Sequence, residues 1–437
     1  HVQQIFLHGS GEEEIKFRYD EGGRIYEVSR VFEGVIPNME RRYRETDSAW
    51  VREEFERYQN NRDCGACGGY RLKPDFINLE NGYYNITPQA TLEKYIQHIR
   101  EVNLQGAYYM RTVQFENKKR IAARVARLVG CPEDTLVLTR NTTESLDTII
   151  SGFPWKAGDE AIFAIQDYGA MQDMFKQVAR RQGIVLKVIS LPNNPASDEE
   201  IVDLYAKAIT DKTKLIMVCH LVNVTGQINP IRQICDMAHA RGVEVMVDGA
   251  HAVAQIQFKI SDLNCDYYGA SLHKWLAVPL GVGILHVRKE KIPQIWPLLA
   301  DEGVPLTDIA HLNHVGTIPV YTDLAVDDAI DFYEKLGPAR KEARLRYLQN
   351  YWTTQVRPLP RVRLHHPADP TKSCAIANVG IEGIKPSVLA ERLMKEYKIF
   401  TVAIDGGNIH GCRITPNVFT TLKELDILVK AISELAS

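Results

Sequence analysis

From residue 75 onward, short apolar runs rich in β-branched residues alternate with longer amphipathic segments, and this alternation limits the possible folds more than any other feature of the chain. Strands that alternate with helices are typical of a mostly parallel sheet with helices on both faces. The sequence therefore predicts an α/β fold for this part. The predicted strands span residues 135–138, 160–164, 185–190, 214–218, 243–247, 267–269 and 282–287, and the helices between them include residues 117–129, 198–209 and 231–241.

After about residue 321 the pattern changes to long helices, strands and a further helix, which predicts a smaller α+β domain. We therefore predict a large domain over residues 75–320 and a small C-terminal domain over residues 321–437, with residues 75–87 able to pack against the small domain. The elements expected in the small domain are helices over residues 324–336, 340–356, 386–397 and 422–435 and strands over residues 375–381 and 411–414.

Residues 1–74 form a different piece, because about 35% of them are charged against about 22% of the rest of the chain. Two alternating runs, residues 15–19 and 24–28, flank a Glu-Gly-Gly turn and predict a β-hairpin. A charged helix is expected over residues 47–58. Cys64 and Cys67 have the spacing of half a zinc site, but two thiolates cannot complete a tetrahedral site. A turn with two free thiols is therefore favoured over a half-site that needs a partner.

Charge and hydropathy argue against several function classes. The net charge is −3 for the whole chain and −2 for residues 1–74, so there is no basic excess to neutralise a nucleic-acid backbone, and nucleic-acid binding is disfavoured. No apolar run approaches the roughly 18 residues that span a bilayer, and the first residues lack the order of a secretory signal. We expect a soluble, cytoplasmic protein with no membrane partner.

Three features that follow predicted strands suggest a cofactor site. Lys274 follows Ser271-Leu272-His273, where a partly desolvated amine can form a Schiff base. Asp248 ends a strand at the edge where such folds bind ligands, and its carboxylate could hold a pyridinium proton. Thr142 and Thr143 open a helix whose free N–H groups and positive dipole end attract an anion. Each feature is weak alone, but the ordered set is specific.

This set resembles the class V aminotransferase family of pyridoxal phosphate (PLP) enzymes over residues 76–437. Within that family the chain is most similar to isopenicillin N epimerase-like proteins and the related C–S lyases. The resemblance implies the fold type I architecture, PLP as cofactor and a homodimer with shared active sites. The motifs that carry it are FINLENG at 76–82, TRNTTE at 139–144, QDY at 166–168, VDGAH at 247–251 and SLHK at 271–274.

The resemblance also implies roles for single residues. Lys274 would form the Schiff base and move the α-proton, Asp248 would hold the pyridine nitrogen, and Arg413 would bind the substrate carboxylate. Tyr168 would stack on the cofactor, Asn223 would reach its phenolic oxygen, and His251 would lie at the same edge, although a core tyrosine and a core histidine remain alternatives for Tyr168 and His251. The phosphate would contact Thr142, Thr143, Ser271 and His273, with Gly316 and Thr317 reaching the phosphate of the neighbouring subunit; Asn81, Gly82 and Arg111 would line the substrate pocket.

The reaction follows less directly from these motifs, because epimerases, lyases and aminotransferases of the family share them. Cysteine desulfurases carry a mobile cysteine about 15 residues before the carboxylate-binding arginine, and residues 397–401 contain none. We therefore expect α-proton abstraction of the epimerase or C–S lyase kind on an amino-acid-like substrate, with transamination as the alternative.

A second resemblance concerns the N-terminal piece. Residues 32–38 (FEGVIPN), 41–46 (RRYRET) and 64–74 (CGACGGYRLKP) are similar to a stretch of UvrA, the damage-recognition ATPase of excision repair. The similarity includes neither a Walker A loop nor a second Cys-x-x-Cys pair, so it implies no ATPase. An interaction module attached to a non-catalytic PLP fold is the alternative from another function class.

Overall fold

The structure is a computed structural model that describes residues 1–46, 48, 54–55 and 76–437. Internal contacts divide the chain into two compact units, His1–Pro74 and Asp75–Ser437. The helix expected over residues 47–58 falls largely outside the described residues, and Cys64 and Cys67 lie outside them as well. No helix in the described part of the chain is long and apolar enough to cross a membrane.

The first unit is built around the hairpin that the sequence predicts. Strands β1 (Glu14–Glu21) and β2 (Arg24–Val31) pair in antiparallel register, with Glu21 opposite Arg24. Gly22 and Gly23 form the two-residue turn with φ of 62° and 89°, which glycine adopts without strain. The hairpin is flanked by helices α1 (Val2–His8) and α2 (Val35–Glu45).

A seven-stranded sheet forms the centre of the second unit. Its spatial order is β4-β10-β9-β8-β7-β5-β6, and β10 alone runs antiparallel to its neighbours. The carboxyl ends of the other six strands therefore meet at one edge of the sheet. The seven strands of the sheet are β4 (Leu136–Thr139), β5 (Glu160–Ala164), β6 (Val185–Ile189), β7 (Thr213–Cys219), β8 (Glu244–Asp248), β9 (Tyr267–Ser271) and β10 (Gly283–Val287).

Alternate residues of these strands enter two apolar cores on opposite faces of the sheet. Ile216 and Val218 of β7 belong to one core, and Leu215 and Met217 belong to the other. Both faces are covered by helices, which explains why the strands read as continuous apolar runs. The helices of this part are α3 (Gln89–Gln105), α4 (Gln114–Val129), α5 (Thr142–Gly152), α6 (Gly169–Gln182), α7 (Asp198–Ala208), α8 (Ile231–His239) and α9 (Ile260–Leu263).

The C-terminal part contains a four-stranded antiparallel sheet and a third apolar core. Its strand order is β11-β12-β15-β14, and two of these strands are the ones that the sequence predicts. The elements are α10 (Tyr321–Leu336), α11 (Pro338–Val356), β11 (Val362–Leu364), β12 (Ala377–Ile381), α12 (Pro386–Tyr397), β13 (Ile399–Phe400), β14 (Val402–Gly406), β15 (Ile409–Ile414) and α13 (Leu422–Ala436).

The segment that opens the second unit lies against this C-terminal sheet. Strand β3 (Ile77–Asn78) pairs in parallel with β13, and Glu80 forms an isolated parallel bridge with Thr415. Leu79 is fully buried in the C-terminal core. Residues near the start of the unit are thereby brought beside the end of β15, more than 330 positions later in the chain.

Candidate active site

A cavity of about 570 Å³ opens at the edge where the carboxyl ends of the parallel strands meet. This is the edge at which open α/β sheets bind ligands. Its walls come from the loops after β4, β5, β7, β8 and β9 and from the end of β15. The lining residues are Tyr83, Tyr84, Arg140, Asn141, Thr142, Thr143, Tyr168, Met171, Cys219, Leu221, Asn223, Asp248, Ala250, His251, Ser271, His273, Lys274, Leu280, Gly281 and Arg413.

Lys274 lies three residues beyond the end of β9, with its amine inside the cavity. Its Nζ is 3.0 Å from Nε2 of His251, and the indole Nε1 of Trp275 donates to Nδ1 of the same imidazole over 3.3 Å. Burial lowers the pKa of Lys274 to about 8 and holds the pKa of His251 well below its usual range. Because the indole can only donate, a neutral His251 carries its proton on Nε2, and this N–H can donate to the Lys274 amine once that amine is uncharged, above about pH 8.

Asp248 is the last residue of β8 and is almost fully buried. Its Oδ1 accepts a hydrogen bond from the backbone N–H of Ala250 over 2.9 Å. Burial raises the pKa of Asp248, and the positive charge of Lys274 opposes that shift. The neighbouring Asp167 is also buried, which raises its pKa to about 7. The charge of Asp248 adds to the upward shift of the Asp167 pKa.

The other end of the cavity is built to receive an anion. Helix α5 begins at Thr142, and the side chain of the N-cap residue Asn141 accepts a hydrogen bond from the N–H of Glu144. The hydroxyl groups of Thr142 and Ser271 are 2.6 Å apart. The Nδ1 of His273 is buried and has no hydrogen-bond partner among the described residues. Hydroxyl groups and a helix N-terminus form a set of donors for a phosphate group.

Two further walls carry the aromatic and amide groups expected from the sequence. Tyr168, the N-cap residue of α6, is 45% exposed and lines the cavity, so it is not a core tyrosine. Asn223 also lines the cavity, and within the described part of the chain its buried Oδ1 has no hydrogen-bond partner.

Arg413 enters the cavity from β15 and is already paired with a carboxylate of this chain. Its Nη2 is 2.6 Å from Oε1 of Glu80 and its Nε is 3.1 Å from Oε2, while Nη1 donates to the backbone oxygen of Asn223 over 3.1 Å. The Arg413 side chain is 8% exposed and that of Glu80 is 3% exposed. Nothing in the sequence pattern singles out Glu80, because 333 residues separate it from Arg413 and no spacing rule joins the two.

The structure does not bring all of the predicted residues into this cavity. Asn81 is fully buried, and its side chain donates to the backbone oxygen of Thr415 over 2.8 Å, so it supports the wall instead of lining it. Arg111 lies on the π-helical turn Tyr109–Val113, is exposed and does not line this cavity. Gly316 and Thr317 are also exposed and lie outside this cavity, where a contact with a neighbouring subunit stays a prediction.

Comparison with known proteins identifies the family to which this cavity belongs. The family model described as aminotransferase class-V matches residues 86–415, which is most of the chain. The protein is a member of the class V aminotransferase family. It is 27% identical over 387 residues to isopenicillin N epimerase of Streptomyces clavuligerus, covering 85% of this chain and 97% of that protein. It is 26% identical over 336 residues to a probable cysteine desulfurase of Synechocystis, and the match covers 72% of this chain and 78% of that protein.

Solved structures show the same architecture for this class V family member. The cystine C–S lyase C-DES, in complex with its reaction product cysteine persulfide, superposes with a TM-score of 0.75 at 19% sequence identity. The match covers 82% of this chain and 98% of that chain. The predicted fold, a PLP-dependent transferase of fold type I with an N-terminal UvrA-like segment, is confirmed.

Family membership makes the protein a PLP-dependent enzyme, and the cavity fits that cofactor. PLP needs an acid at its pyridine nitrogen, an amine for its aldehyde, a donor for its phenolic oxygen and an anion site for its phosphate. The buried carboxyl group of Asp248, the amine of Lys274, the NH2 group of Asn223 and the donors around Thr142 supply these groups within one cavity. The orphaned polar atoms of Asn223 and His273 are the kind of groups that a bound ligand satisfies.

The N-terminal unit has a relative of its own. The family model described as the UvrA DNA-binding domain matches residues 1–57. UvrABC system protein A of Brucella abortus is 42% identical over 132 residues, which cover 29% of this chain and 12% of that protein. The predicted resemblance to UvrA is confirmed, and it covers a small fraction of that longer protein.

Proposed function

We propose that the enzyme abstracts the α-proton of an amino-acid-like substrate and performs epimerase or C–S lyase chemistry. The observation that carries the proposal is the state of the Lys274 amine. His251 donates to it, burial lowers its pKa to about 8, and it faces a cavity with an acid at one end and an anion site at the other. An amine held in this way can act as nucleophile and as base near neutral pH.

Bound PLP supplies an electron sink that makes the Cα–H bond of an attached amino acid acidic. The residues of the protein would hold the cofactor and move the proton. Asp248 would keep a proton at the ring nitrogen, because its own environment is dry and its carboxylate has few other partners. Lys274 would take the α-proton, and His251 would hold the lysine amine in place through its Nε2–H.

The cysteines argue against a desulfurase mechanism, which needs a mobile and reactive thiol. Cys374 and Cys412 are fully buried, and burial raises the pKa of each thiol to about 12. Cys219 lines the cavity, yet its burial beside Asp167 and Asp248 holds its pKa far above the usual value. A thiol that stays protonated is a poor nucleophile.

Hydrogen exchange at the α-carbon tests the proposal before the product is known. The holoenzyme is incubated in D₂O with a panel of amino acids and cysteine conjugates, and proton NMR follows the loss of the α-hydrogen signal. We expect exchange for at least one substrate, and no exchange with the Lys274→Ala variant. Products then separate the reactions, since inverted stereochemistry indicates epimerisation, and keto acid with ammonia indicates elimination.

Two other outcomes would overturn the proposal. Transfer of the amino group to an added keto acid, with formation of the amino acid of that keto acid, would establish the aminotransferase alternative. Absence of α-hydrogen exchange across the whole panel, in a holoenzyme whose cofactor is fixed to Lys274 by borohydride, would favour a binding role for the fold.

A further inference from the structure

The ion pair between Arg413 and Glu80 alters how this site can bind a carboxylate. Three of the five guanidinium N–H groups are engaged, two by Glu80 and one by the backbone of Asn223. The Nε–Nη2 edge, which normally grips a carboxylate with two parallel hydrogen bonds, is taken by a residue of the same chain. A substrate carboxylate is left with one N–H on Nη1 and one on Nη2, at the end of the guanidinium.

Glu80 is fixed in this position by its backbone and does not depend on Arg413 alone. Its Oε1 also accepts from the backbone N–H of Tyr83 over 3.0 Å, and its own N–H donates to Asn78 over 3.0 Å. The parallel bridge to Thr415 ties Glu80 to the strand that carries Arg413. Displacement of Glu80 by a substrate would leave a carboxylate unpaired at 3% exposure, which is strongly unfavourable.

Charge leads to the same conclusion as geometry. The paired side chains carry no net charge, so an incoming carboxylate meets a compensated cation instead of a bare one. Glu80 and the bound carboxylate would also repel each other across a single guanidinium in a poorly hydrated place. The pair therefore lowers the advantage that a charged carboxylate has over an uncharged amide of the same shape.

We propose that Glu80 is a specificity-determining counter-ion that directs the substrate carboxylate to the outer edge of Arg413 and weakens its binding. The site then accepts compounds in which the carboxyl group is amidated or esterified at a small cost, a class that a bare arginine would reject. This inference rests on the proposed function only in placing the substrate carboxylate at Arg413.

Two small ligands without an amino group test the inference without turnover. Propionate and propionamide have nearly the same shape, differ in charge and cannot react with the cofactor. Each is titrated into the holoenzyme, and binding is followed by the change in the visible absorbance of bound PLP. For the wild-type enzyme we expect dissociation constants within about tenfold of each other.

The Glu80→Gln variant keeps a hydrogen-bond acceptor for Arg413 and removes the charge. We expect it to bind propionate about tenfold more tightly than the wild-type enzyme does, with little change for propionamide. Glu342→Gln is the matched control, because Glu342 also pairs with an arginine, Arg346 over 2.7 Å, and lies outside the cavity. It should leave both dissociation constants unchanged.

The inference fails if Glu80→Gln binds propionate equally or more weakly, or if neither ligand perturbs the absorbance of either protein. If Glu80→Gln does not fold, the two dissociation constants of the wild-type enzyme test the inference. Binding of propionate more than about a hundredfold tighter than binding of propionamide would show that Glu80 does not offset the charge of Arg413. Arg413→Gln separates this inference from the proposed function. If propionate no longer changes the PLP absorbance of the Arg413→Gln variant, the carboxylate binds at Arg413, and this result does not depend on whether the α-hydrogen exchanges.

Discussion

At the scale of single residues, the main feature of the candidate active site is where the protons of His251 and Lys274 lie. Trp275 donates to Nδ1 of His251, so a neutral His251 carries its proton on Nε2, and that N–H can donate to Lys274 only when the lysine amine is uncharged. Burial favours the same state, because an ammonium group in this cavity would lose its hydration. These contacts favour the uncharged amine of Lys274, which is the form that reacts with an aldehyde.

The rate of cofactor attachment should report this prepared state. The lysine reacts as the free amine, and its pKa is lowered to about 8. We expect the rate at which apoenzyme takes up PLP to rise with pH and to reach half of its maximum near pH 8, well below the usual range of lysine. Stopped-flow absorbance across a pH series measures it, and a midpoint above pH 10 would contradict the assigned amine state.

Removal of the indole donor should shift that midpoint. In Trp275→Phe the Nδ1 of His251 loses its donor, so the imidazole can adopt the other tautomer and accept from a charged lysine. We expect the pH midpoint for PLP uptake to move upward. Trp352→Phe is the matched control, because Trp352 is equally buried and its Nε1 has no partner among the described residues. An unchanged midpoint in Trp275→Phe would show that the indole does not set the tautomer.

At the scale of elements, the sequence predicts most of the central sheet to within one or two residues of each end. Buried parallel strands give strong apolar runs, and the predicted cofactor residues Thr142, Asp248 and Lys274 lie at the end of such a strand or three residues beyond it. The sequence missed β11 and β14, because one spans three residues and the other is partly exposed, so neither produces a clear pattern. It also missed Glu80, whose partner lies on another strand.

Helix α11 contacts the catalytic loop through a lysine that has no carboxylate partner in the described structure. Lys341 donates to the backbone oxygen of Trp275, and its Nζ lies 5.4 Å from the centre of the Tyr333 ring. Burial lowers the pKa of Lys341 to about 7. The protonated form is therefore costly in the folded state.

Lys341 should make the stability depend on pH. Between about pH 7 and the usual range of lysine, the unfolded chain binds this proton and the folded chain does not, so the free energy of unfolding rises with pH. We expect Lys341→Met to remove this contribution and to gain more stability over the wild type at pH 6 than at pH 10. Urea unfolding at pH 6 and at pH 10 measures the free energy of unfolding of each protein. Lys335→Met is the control, because Lys335 is exposed. Equal differences at both pH values would contradict the low pKa.

At the scale of the whole molecule, the second unit exposes large apolar side chains that a monomer would leave in water. Leu104 is 87% exposed and Trp296 is 74% exposed, and Tyr83 and Leu280, which line the cavity, are also exposed. Large apolar side chains exposed to this degree are favourable contacts for a second protein surface. They support the predicted homodimer, in which a second copy would cover the mouth of the cavity.

Thr317 provides a test of this dimer through the cofactor. It lies outside the cavity of its own chain, so within a monomer Thr317→Val should not affect PLP binding. In a dimer with shared sites, loss of the hydroxyl group should weaken PLP binding by about tenfold, the usual size of one hydrogen bond to a charged group. Equilibrium dialysis measures the affinity, and sedimentation measures the mass. An active monomer would refute the dimer.

Deletion of residues 1–74 tests whether the UvrA-like unit takes part in PLP binding. Among the described residues, those that line the cavity lie between positions 83 and 413, and those of the four apolar cores lie from position 77 onward. None of the described side chains of the first unit is buried, and an isolated two-stranded hairpin is marginally stable. We expect the shortened protein to keep its PLP affinity within about threefold and its cooperative thermal unfolding. Absorbance titration and calorimetry against the full chain measure both, and loss of PLP on deletion would show that the first unit supports the enzyme.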